Sequence, residues 1–351
     1  MKLPMRWTIL ACCAAVIALI AVPVIVGLMK RSGPKEPAHE IETPVPEPAD
    51  TSPPPSADPA DDDSLADANR WVTVLLGDEV HQMRLNAYLY GVVAGEMPAS
   101  FPEEALKAQA VAARTYTVYK QSHPTGTHPQ AEVCGDSTCC KAFATRDTLL
   151  ERWGADYAVH ADAIRESVNA TDGQIITYED EAILAVFHST SSGMTERAAD
   201  VWGGDLPYLQ SVSSTGEDAS PRYQASAEFS AEEGKQILLA AHPQMKLSGE
   251  PAQWFGDIQR SEAGGVTSLS IGGVRVSGGE VRKLFGLNST YFTVNTTPSA
   301  VTFDTRGYGH GVGMSQYGAR AMALEGKDYE TILRWYYTGT VVRELEMQIE
   351  D

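Results

Sequence analysis

Residues 85–117, LNAYLYGVVAGEMPASFPEEALKAQAVAARTYT, predict two helices joined by a short turn. Apolar side chains recur at helical spacing from Leu85 to Val93, and Gly95 follows as a residue that commonly ends a helix. Glu96 is then expected just past the end of this first helix, at the junction between the two.

The second helix is predicted to begin at the sequence Ser100-Phe-Pro-Glu103. These residues have the Ser-x-x-Glu spacing of a capping box, with a proline in the first turn. Leu106, Ala110 and Ala113 then lie on one face, as in a helix that packs against a core.

The expected surroundings of Glu96 suit an acid catalyst. A carboxyl group among Val93, Met97 and Phe101 would lose contact with water, which raises its pKa and lets it hold a proton at neutral pH. The alternative is an ordinary surface glutamate, because the chain has 46 acidic residues.

The neighbouring segments predict strands as well as helices, and so a mixed α/β (α+β) fold. Val72–Leu76 and Ile183–Phe187 have the composition of buried strands. Residues 229–241 are predicted to be helical and residues 266–276 strand-like.

A different composition precedes this region. Residues 7–29 carry no charge and are long enough to cross a bilayer core of about 30 Å, so they predict a transmembrane anchor after a short cytoplasmic segment, residues 1–6. A cleaved signal peptide or a lipid attached at Cys12 are the alternatives. Residues 30–70 are rich in proline and acids and predict a disordered linker. Lys and Arg flank residues 7–29 on both sides, so charge alone leaves the orientation open.

The composition also bounds the function. The chain has 351 residues and a formal charge of −19, with 46 Asp and Glu against 27 Lys and Arg. This length allows one large domain or two ordinary ones. The negative charge argues against nucleic acid as the main partner.

His128, Cys134 and Cys140 form a candidate metal site, because imidazole and thiolates at this spacing can converge on one Zn²⁺. A disulfide from Cys134 to Cys139 or Cys140, or unpaired thiols, are the alternatives. Three ligands leave a fourth position for water or for a side chain such as His160 or Glu132.

Two polar loops complete the set of motifs. The residues after Phe187 and the glycine-rich run from Gly307 to Gly318 can each bring backbone and side chains close to a ligand. Neither has the spacing of a nucleotide-binding loop or of a serine-hydrolase elbow. Ser315 is predicted to cap the helix that follows, and Trp202 is either a core residue or a platform for a sugar ring.

Taken together, these motifs resemble the stage II sporulation protein D (SpoIID) family over essentially the whole region from residue 71 to residue 351. The matching blocks, in order, are GVVAGEMP (91–98), EALKAQAVAARTY (104–116), FHSTSSG (187–193), VRKLFGLNSTYF (281–292) and GYGHGVGMSQYGA (307–319). The sequence departs from the family pattern at Ser191-Ser192-Gly193, where Ser-Gly-Gly is common, and in the extra Cys139.

The resemblance implies a membrane-anchored lytic transglycosylase that cuts peptidoglycan between N-acetylmuramic acid and N-acetylglucosamine during forespore engulfment. It implies Glu96 as the catalytic acid and a groove beside a second lobe, about residues 214–295. The implied substrate-binding residues are His188, Ser192, His310, Ser315, Gln316 and Tyr317. It also implies zinc at His128, Cys134 and Cys140, as in some members.

The implied partners are peptide-stripped glycan strands, the membrane, a sporulation amidase (SpoIIP-like) and a membrane scaffold protein (SpoIIM-like). The implied location is the mother-cell membrane, with the catalytic domain facing the forespore. Two other functions remain open: a non-enzymatic amidase enhancer that binds the cell wall, and a zinc-dependent hydrolase.

Overall fold

The computed structural model describes residues 64–345. The predicted cytoplasmic segment, the predicted anchor and most of the predicted linker lie outside the described residues. Between residues 64 and 345, no helix is both long enough and apolar enough to span a bilayer.

The described chain is a mixed α/β structure, which confirms the predicted fold class. The strands are β1 (Trp71–Leu76), β2 (Glu79–Arg84), β3 (Val133–Cys134), β4 (Gln174–Tyr178), β5 (Glu181–Ala182), β6 (Phe187–His188), β7 (Gln224–Ser230), β8 (Phe255–Arg260), β9 (Val266–Ile271), β10 (Val274–Ser277), β11 (Phe292–Thr296), β12 (Ala300–Arg306), β13 (Met314–Ser315) and β14 (Val341–Glu344). The helices are α1 (Leu85–Glu96), α2 (Glu103–Ser122), α3 (Arg146–Trp153), α4 (Tyr157–Asn169), α5 (Ala198–Trp202), α6 (Ala231–Ala241), α7 (Gly278–Phe285), α8 (Gln316–Leu324) and α9 (Tyr329–Tyr336).

Helix α2 is the centre of the first part of the fold. It packs against α1, α4, α8 and α9, and against strand β4. Its small residues Ala105, Ala108, Ala112 and Ala113 are buried, and small side chains allow neighbouring helices to approach closely.

The strands form small sheets around these helices. Among the described residues, four sheets have three strands each, in the orders β2-β1-β3, β14-β4-β5, β10-β9-β8 and β11-β12-β7. The pair β6-β13 is parallel and joins two segments that lie far apart in the sequence, with Phe187 opposite Met314 and His188 opposite Ser315.

Buried apolar side chains form two clusters. The first contains residues of α1, α2, α4 and β6, and ends with Tyr337. The second is built from residues between Leu238 and Phe303, including β9, β12 and α7. The second cluster thus extends past residue 295, because strand β12 pairs with both β11 and β7 and contributes Val301 and Phe303 to it.

The packed region begins earlier than Trp71. Asp67 is 1% exposed, and its Oδ2 accepts a hydrogen bond from Nε of the buried Arg114 at 2.6 Å. The backbone N–H groups of Ala66 and Asp67 donate to the carboxylate of Asp172. These contacts place residues 66–69 on the domain rather than in the predicted linker.

Several predicted element boundaries are corrected. Helix α1 continues through Gly95 and includes Glu96. Helix α2 has Pro102 at its N-cap, and the capping box predicted at Ser100 does not form, because the Phe101 N–H donates to the Pro98 carbonyl and closes a turn there.

Two further boundaries differ from the prediction. Of the predicted strand Ile183–Phe187, only Phe187 lies in a strand, although all of its residues except the half-buried Leu184 are buried. Phe229 belongs to strand β7, and helix α6 starts two residues later behind a capping box of Ser230 and Glu233.

Candidate active site

Glu96 is held by the backbone of a neighbouring segment. It is the last residue of α1, and its Oε1 accepts a hydrogen bond from the N–H of Ala142 at 2.6 Å. Burial raises the pKa of the Glu96 carboxyl, although the charge of Lys141 and the Ala142 N–H both lower it. The pKa of the carboxyl group therefore lies above that of an ordinary glutamate.

Glu96 also borders an open pocket. The pocket has a volume of about 340 Å³, and it is lined on one side by the turn from Glu96 to Ser100 and on the other by Arg152, Trp153 and His160. The indole of Trp153 and the imidazole of His160 lie 5.4 Å apart, centroid to centroid. A flat polar ligand such as a sugar ring could lie against these rings.

Lys141 connects Glu96 to the glycine-rich loop. Its Nζ lies 3.7 Å from the ring centroid of Phe187 and 4.2 Å from that of Tyr116, as in cation–π contacts. Burial lowers the pKa of Lys141 to about 8, against the opposing effect of Glu96. The charge of Lys141 also lowers the pKa of His310, so the ammonium lies within electrostatic reach of both sites.

The glycine-rich loop lies against the segment that follows β6. The N–H of Thr190 donates to the Tyr308 carbonyl and the N–H of Tyr308 donates to the Thr190 carbonyl. Gly309 has φ +121° and Gly313 has φ +73°. A Cβ at Gly313 would lie 2.1 Å from the carbonyl oxygen of Val186, so no larger residue fits.

This contact brings two predicted histidines together. The ring centroids of His188 and His310 lie 5.6 Å apart, and the ring of Trp202 lies 5.3 Å from that of His310. His188 is buried and its Nδ1 lies 3.1 Å from the Val312 carbonyl; burial lowers the pKa of His188 to about 4. Trp202 is 48% exposed, which favours the sugar-platform interpretation over a core role.

Two more predicted residues are accessible near this loop. Ser192 is half-buried, its hydroxyl donates to the Ala263 carbonyl, and it lines a small pocket together with His310. Tyr317 is half-buried and its ring meets Phe101 edge-on at 5.1 Å. Because Phe101 follows the Glu96 turn, Tyr317 links that turn to the glycine-rich loop.

Ser315 and Gln316 are buried instead. As predicted, Ser315 caps α8 by accepting from the Gly318 N–H, and its hydroxyl donates to Oε2 of Glu217 at 2.9 Å. Gln316 donates from Nε2 to Gln109 in the core. Both side chains are buried and hydrogen-bonded to other protein residues. This geometry does not favour the prediction that they contact the substrate directly.

Glu217 is the centre of a buried network. Its carboxylate accepts hydrogen bonds from the hydroxyls of Ser191, Ser214 and Ser315 and from the Ser191 N–H. Burial raises the pKa of Glu217, and these donors oppose that rise. The network fixes both polar loops to each other.

The predicted metal ligands converge, and Cys139 joins them. One donor atom from each of His128, Cys134, Cys139 and Cys140 lies within 4.8 Å of the other three. Nε2 of His128 is 3.2 Å from Sγ of Cys140, and Nδ1 of His128 is 2.8 Å from the carbonyl of Ala131. That contact suits a proton on Nδ1, which leaves Nε2 free to coordinate.

The donor set suits a closed site for a soft or borderline metal ion. Four ligands of sulfur and nitrogen at about 2.0–2.3 Å from a tetrahedral ion would fit this spacing. The three cysteines of this cluster are unpaired, so the disulfide considered as an alternative to a metal site is not formed among them. His160 and Glu132, considered for the fourth position, lie elsewhere: His160 lines the Glu96 pocket, and Glu132 accepts from Thr73 and Gln121.

Reasoning from the sequence missed Lys141 and Glu217. The sequence could have indicated Lys141, since it directly follows two cysteines in a predicted metal loop. It could not have indicated Glu217, because the hydrogen-bond partners of Glu217 come from three separate segments of the chain.

Comparisons with known proteins support one family. The SpoIID family, described as stage II sporulation protein, matches residues 77–178. Stage II sporulation protein D of Bacillus subtilis (strain 168) is 40% identical over 269 residues, and that of Bacillus amyloliquefaciens is 38% identical over 269 residues; each alignment covers 76% of both chains. Amidase enhancer of Bacillus subtilis (strain 168) is 30% identical over 308 residues, covering 72% of this chain and 40% of that protein. The chain therefore belongs to the stage II sporulation protein D (SpoIID) family.

Proposed function

We propose that this protein is a peptidoglycan lytic transglycosylase, which cleaves the bond between N-acetylmuramic acid and N-acetylglucosamine and leaves 1,6-anhydro-muramic ends. The observation that carries the proposal is the pocket of Glu96. Among the described residues that line this pocket, Glu96 alone has a carboxyl group. Ordinary glycosidases need two carboxyl groups about 5–10 Å apart, whereas this reaction needs one.

The reaction balances with Glu96 as the only acid and base. The protonated Glu96 donates its proton to the glycosidic oxygen, and the bond from that oxygen to C1 of the muramic acid breaks. The C6 hydroxyl of the same sugar attacks C1 and closes the anhydro ring. Its proton passes to the Glu96 carboxylate, which restores the acid without consuming water. The raised pKa of Glu96 supports the first step.

The proposed substrate groove joins the Glu96 pocket to the glycine-rich loop, between two lobes built on the two buried clusters. Lys141 does not line it, because its side chain is buried. Along it, Trp202 offers an exposed ring for a sugar, and His310, Ser192 and Tyr317 offer polar atoms. The buried His188 packs beside the ring of His310.

We further propose Zn²⁺ as the ion of the four-residue cluster, in a structural role. Four protein ligands leave no open position for a substrate or a reactive water, unlike catalytic zinc sites, which keep one open. Cys140 is two residues from Ala142, whose N–H binds Glu96. A bound ion would therefore hold the segment that positions the carboxyl group.

The biological setting is proposed from the relatives. Their names support a role in sporulation, and we propose that it is forespore engulfment. The proposed location is the mother-cell membrane, through residues 7–29, with the catalytic domain facing the forespore. The proposed partners are peptide-stripped glycan strands, a sporulation amidase and a membrane scaffold protein.

Product analysis by mass spectrometry tests the activity. The full-length chain is incubated with peptide-stripped glycan strands, alongside Glu96→Gln and the control Glu103→Gln. Glu103 is an exposed glutamate that begins α2 near the same turn, so it controls for loss of an acid there. Wild type and Glu103→Gln should release anhydromuramic ends, and Glu96→Gln should release none. Products with reducing ends, or equal activity of Glu96→Gln, would refute the mechanism.

A second candidate function is a non-enzymatic amidase enhancer, favoured by the 30% identity to a protein of that name. It predicts that wild type and Glu96→Gln bind glycan strands equally, release no fragments, and stimulate an amidase to the same extent. A zinc hydrolase is disfavoured by the fourth ligand, Cys139.

A further inference from the structure

Two tyrosines beside the proposed groove, Tyr291 and Tyr308, have arginine side chains close to their rings. Cζ of Arg260 lies 6.0 Å from the ring centroid of Tyr291, and Cζ of Arg306 lies 5.9 Å from it. Cζ of Arg222 lies 4.6 Å from the ring centroid of Tyr308. Cation–π contacts of this kind hold a guanidinium group in place. Within the described residues, Arg222 and Arg306 keep their side-chain N–H groups available for a ligand, whereas Arg260 donates to the carbonyls of Gly264 and Phe292.

A fourth arginine lies close by. Arg282 is partly buried, and its Nε donates to the Leu287 carbonyl at 3.3 Å. Its charge lowers the pKa of both His188 and His310, and it interacts electrostatically with Tyr308. Arg282 is therefore within electrostatic reach of the glycine-rich loop. Arg222, Arg260, Arg282 and Arg306 are called the arginine patch below.

The arginine patch lacks carboxylate partners. Within residues 64–345, the ion pairs of arginine involve other positions, such as Arg275 with Asp257 and Arg343 with Asp180. This is unusual in a chain with a formal charge of −19.

The nearest pockets contain two acidic residues that are already engaged. Oε1 of Glu196 accepts from the Gly265 N–H at 3.0 Å, and Oδ2 of Asp304 accepts from Asn295 at 2.7 Å. The four arginines of the patch still outnumber these two carboxylates, and such an excess of positive charge favours an anionic ligand.

The patch adjoins residues proposed to bind the sugar chain. Arg306 lines the same small pocket as Ser192 and His310. Arg306 also borders a larger surface pocket of about 480 Å³ with Tyr291. An anion bound here would therefore belong to a ligand that also lies against the glycine-rich loop.

We propose that the arginine patch binds the lactyl carboxylate of N-acetylmuramic acid, an inference that rests on peptidoglycan as the substrate. This carboxylate is joined to the sugar ring through an ether, so it stays close to a strand that lies in the groove. Guanidinium groups bind carboxylates through paired, charge-assisted hydrogen bonds. The carboxylates at the far end of a stem peptide lie further from the glycan.

This assignment gives the patch a selective role. In strands that carry stem peptides, the lactyl carboxyl is part of an amide and has no charge. Hydrolysis of that amide creates the anion that the patch recognises. The patch would therefore distinguish strands that have lost their peptides from strands that keep them.

The test is a binding measurement with the full-length Glu96→Gln protein, so that the ligand is not cleaved. The patch variant carries Arg222→Gln and Arg306→Gln in addition to Glu96→Gln. The side chains of Arg222 and Arg306 are exposed and make no hydrogen bond within the described residues. The control adds Arg275→Gln and Arg343→Gln instead, which removes the same charge from exposed ion pairs.

Three ligands are compared: peptide-free muramyl oligosaccharides, the same oligosaccharides with amidated lactyl groups, and peptide-bearing oligosaccharides. For the peptide-free ligand, the patch variant should bind at least about tenfold more weakly than the control, since charge-assisted hydrogen bonds to carboxylate are lost. For the amidated ligand, the two should agree within about twofold. Binding of the peptide-free ligand should weaken with added salt.

Equal binding of the peptide-free ligand by both variants would overturn the proposal. An equal loss on the amidated ligand would also overturn it, because the patch would then act without the carboxylate. A loss confined to the peptide-bearing ligand would assign the patch to stem-peptide carboxylates and reject the lactyl group. If the wild-type protein releases no fragments and the patch variant nevertheless binds the peptide-free ligand more weakly than the control, the transglycosylase proposal fails and this one stands.

Discussion

Replacing Asp67 with alanine is expected to destabilise the folded protein strongly, although Asp67 lies far from Glu96 in the sequence. Arg114 is fully buried in the central helix, and Asp67 is its ionic partner at 2.6 Å. The other donors of Arg114 reach the carbonyls of Val168 and Gln174. Without Asp67, the buried positive charge of Arg114 would lose the carboxylate that is paired with it.

The magnitude follows from that burial. Removing one partner of a buried ion pair costs about 3–5 kcal/mol, because the other charge stays desolvated. At about 2–4 °C per kcal/mol for a large domain, the melting temperature should fall by roughly 6–20 °C. Thermal unfolding of the full-length chain, followed by circular dichroism, measures this shift.

Two further variants make the test specific. Arg343→Ala breaks an exposed pair with Asp180, which should cost less than about 1 kcal/mol. Adding Arg114→Met to Asp67→Ala should recover part of the lost stability, because the buried charge is removed as well. The reasoning is refuted if Asp67→Ala and Arg343→Ala have melting temperatures within about 2 °C of each other.

Three other predictions concern the site itself. Cys134→Ser should lose the bound metal and lower the melting temperature, checked by elemental analysis and thermal unfolding; unchanged melting without metal would contradict a structural role. Activity should fall as pH rises through the raised pKa of Glu96, because its acid form is lost. In Lys141→Met, which removes a charge that lowers this pKa, the fall should occur at higher pH; a pH–rate profile that does not move would contradict the assignment. Gly313→Ala should reduce the yield of folded protein, since its Cβ would meet a carbonyl oxygen at 2.1 Å, whereas Gly203→Ala, also at positive φ but in open space, should be mild.

The local parts of the fold could be predicted from the sequence. Strand β1, the hairpin of β9 and β10, and the Ser315 cap of α8 each depend on residues within one element or one turn. The capping box at Ser100 shows where a local signal misleads. The turn closed by Pro98 and Phe101 uses that segment first, so α2 starts after Pro102.

The site could be predicted only in part, for the same physical reason. The spacing of His128, Cys134 and Cys140 predicted three candidate metal ligands. The position of Cys139 beside them depends on how the loop folds, so the sequence did not show it as a fourth candidate. The role of Lys141 depends on Tyr116 and on Glu96, and the arginine patch depends on packing between distant loops. Such contacts leave no periodic pattern in a sequence.

The parallel pairing of Phe187 with Met314 has a consequence for how the chain folds. The first buried cluster contains Leu209 and Val312, and the second lies between them in sequence, from Leu238 to Phe303. As the chain emerges from the ribosome, all residues of the second cluster are available once Phe303 has been synthesised. The first cluster also needs residues from Val312 to Tyr337, which are synthesised later. Contacts of high sequence separation form slowly, so the inserted segment should fold early and the region around Glu96 should close last.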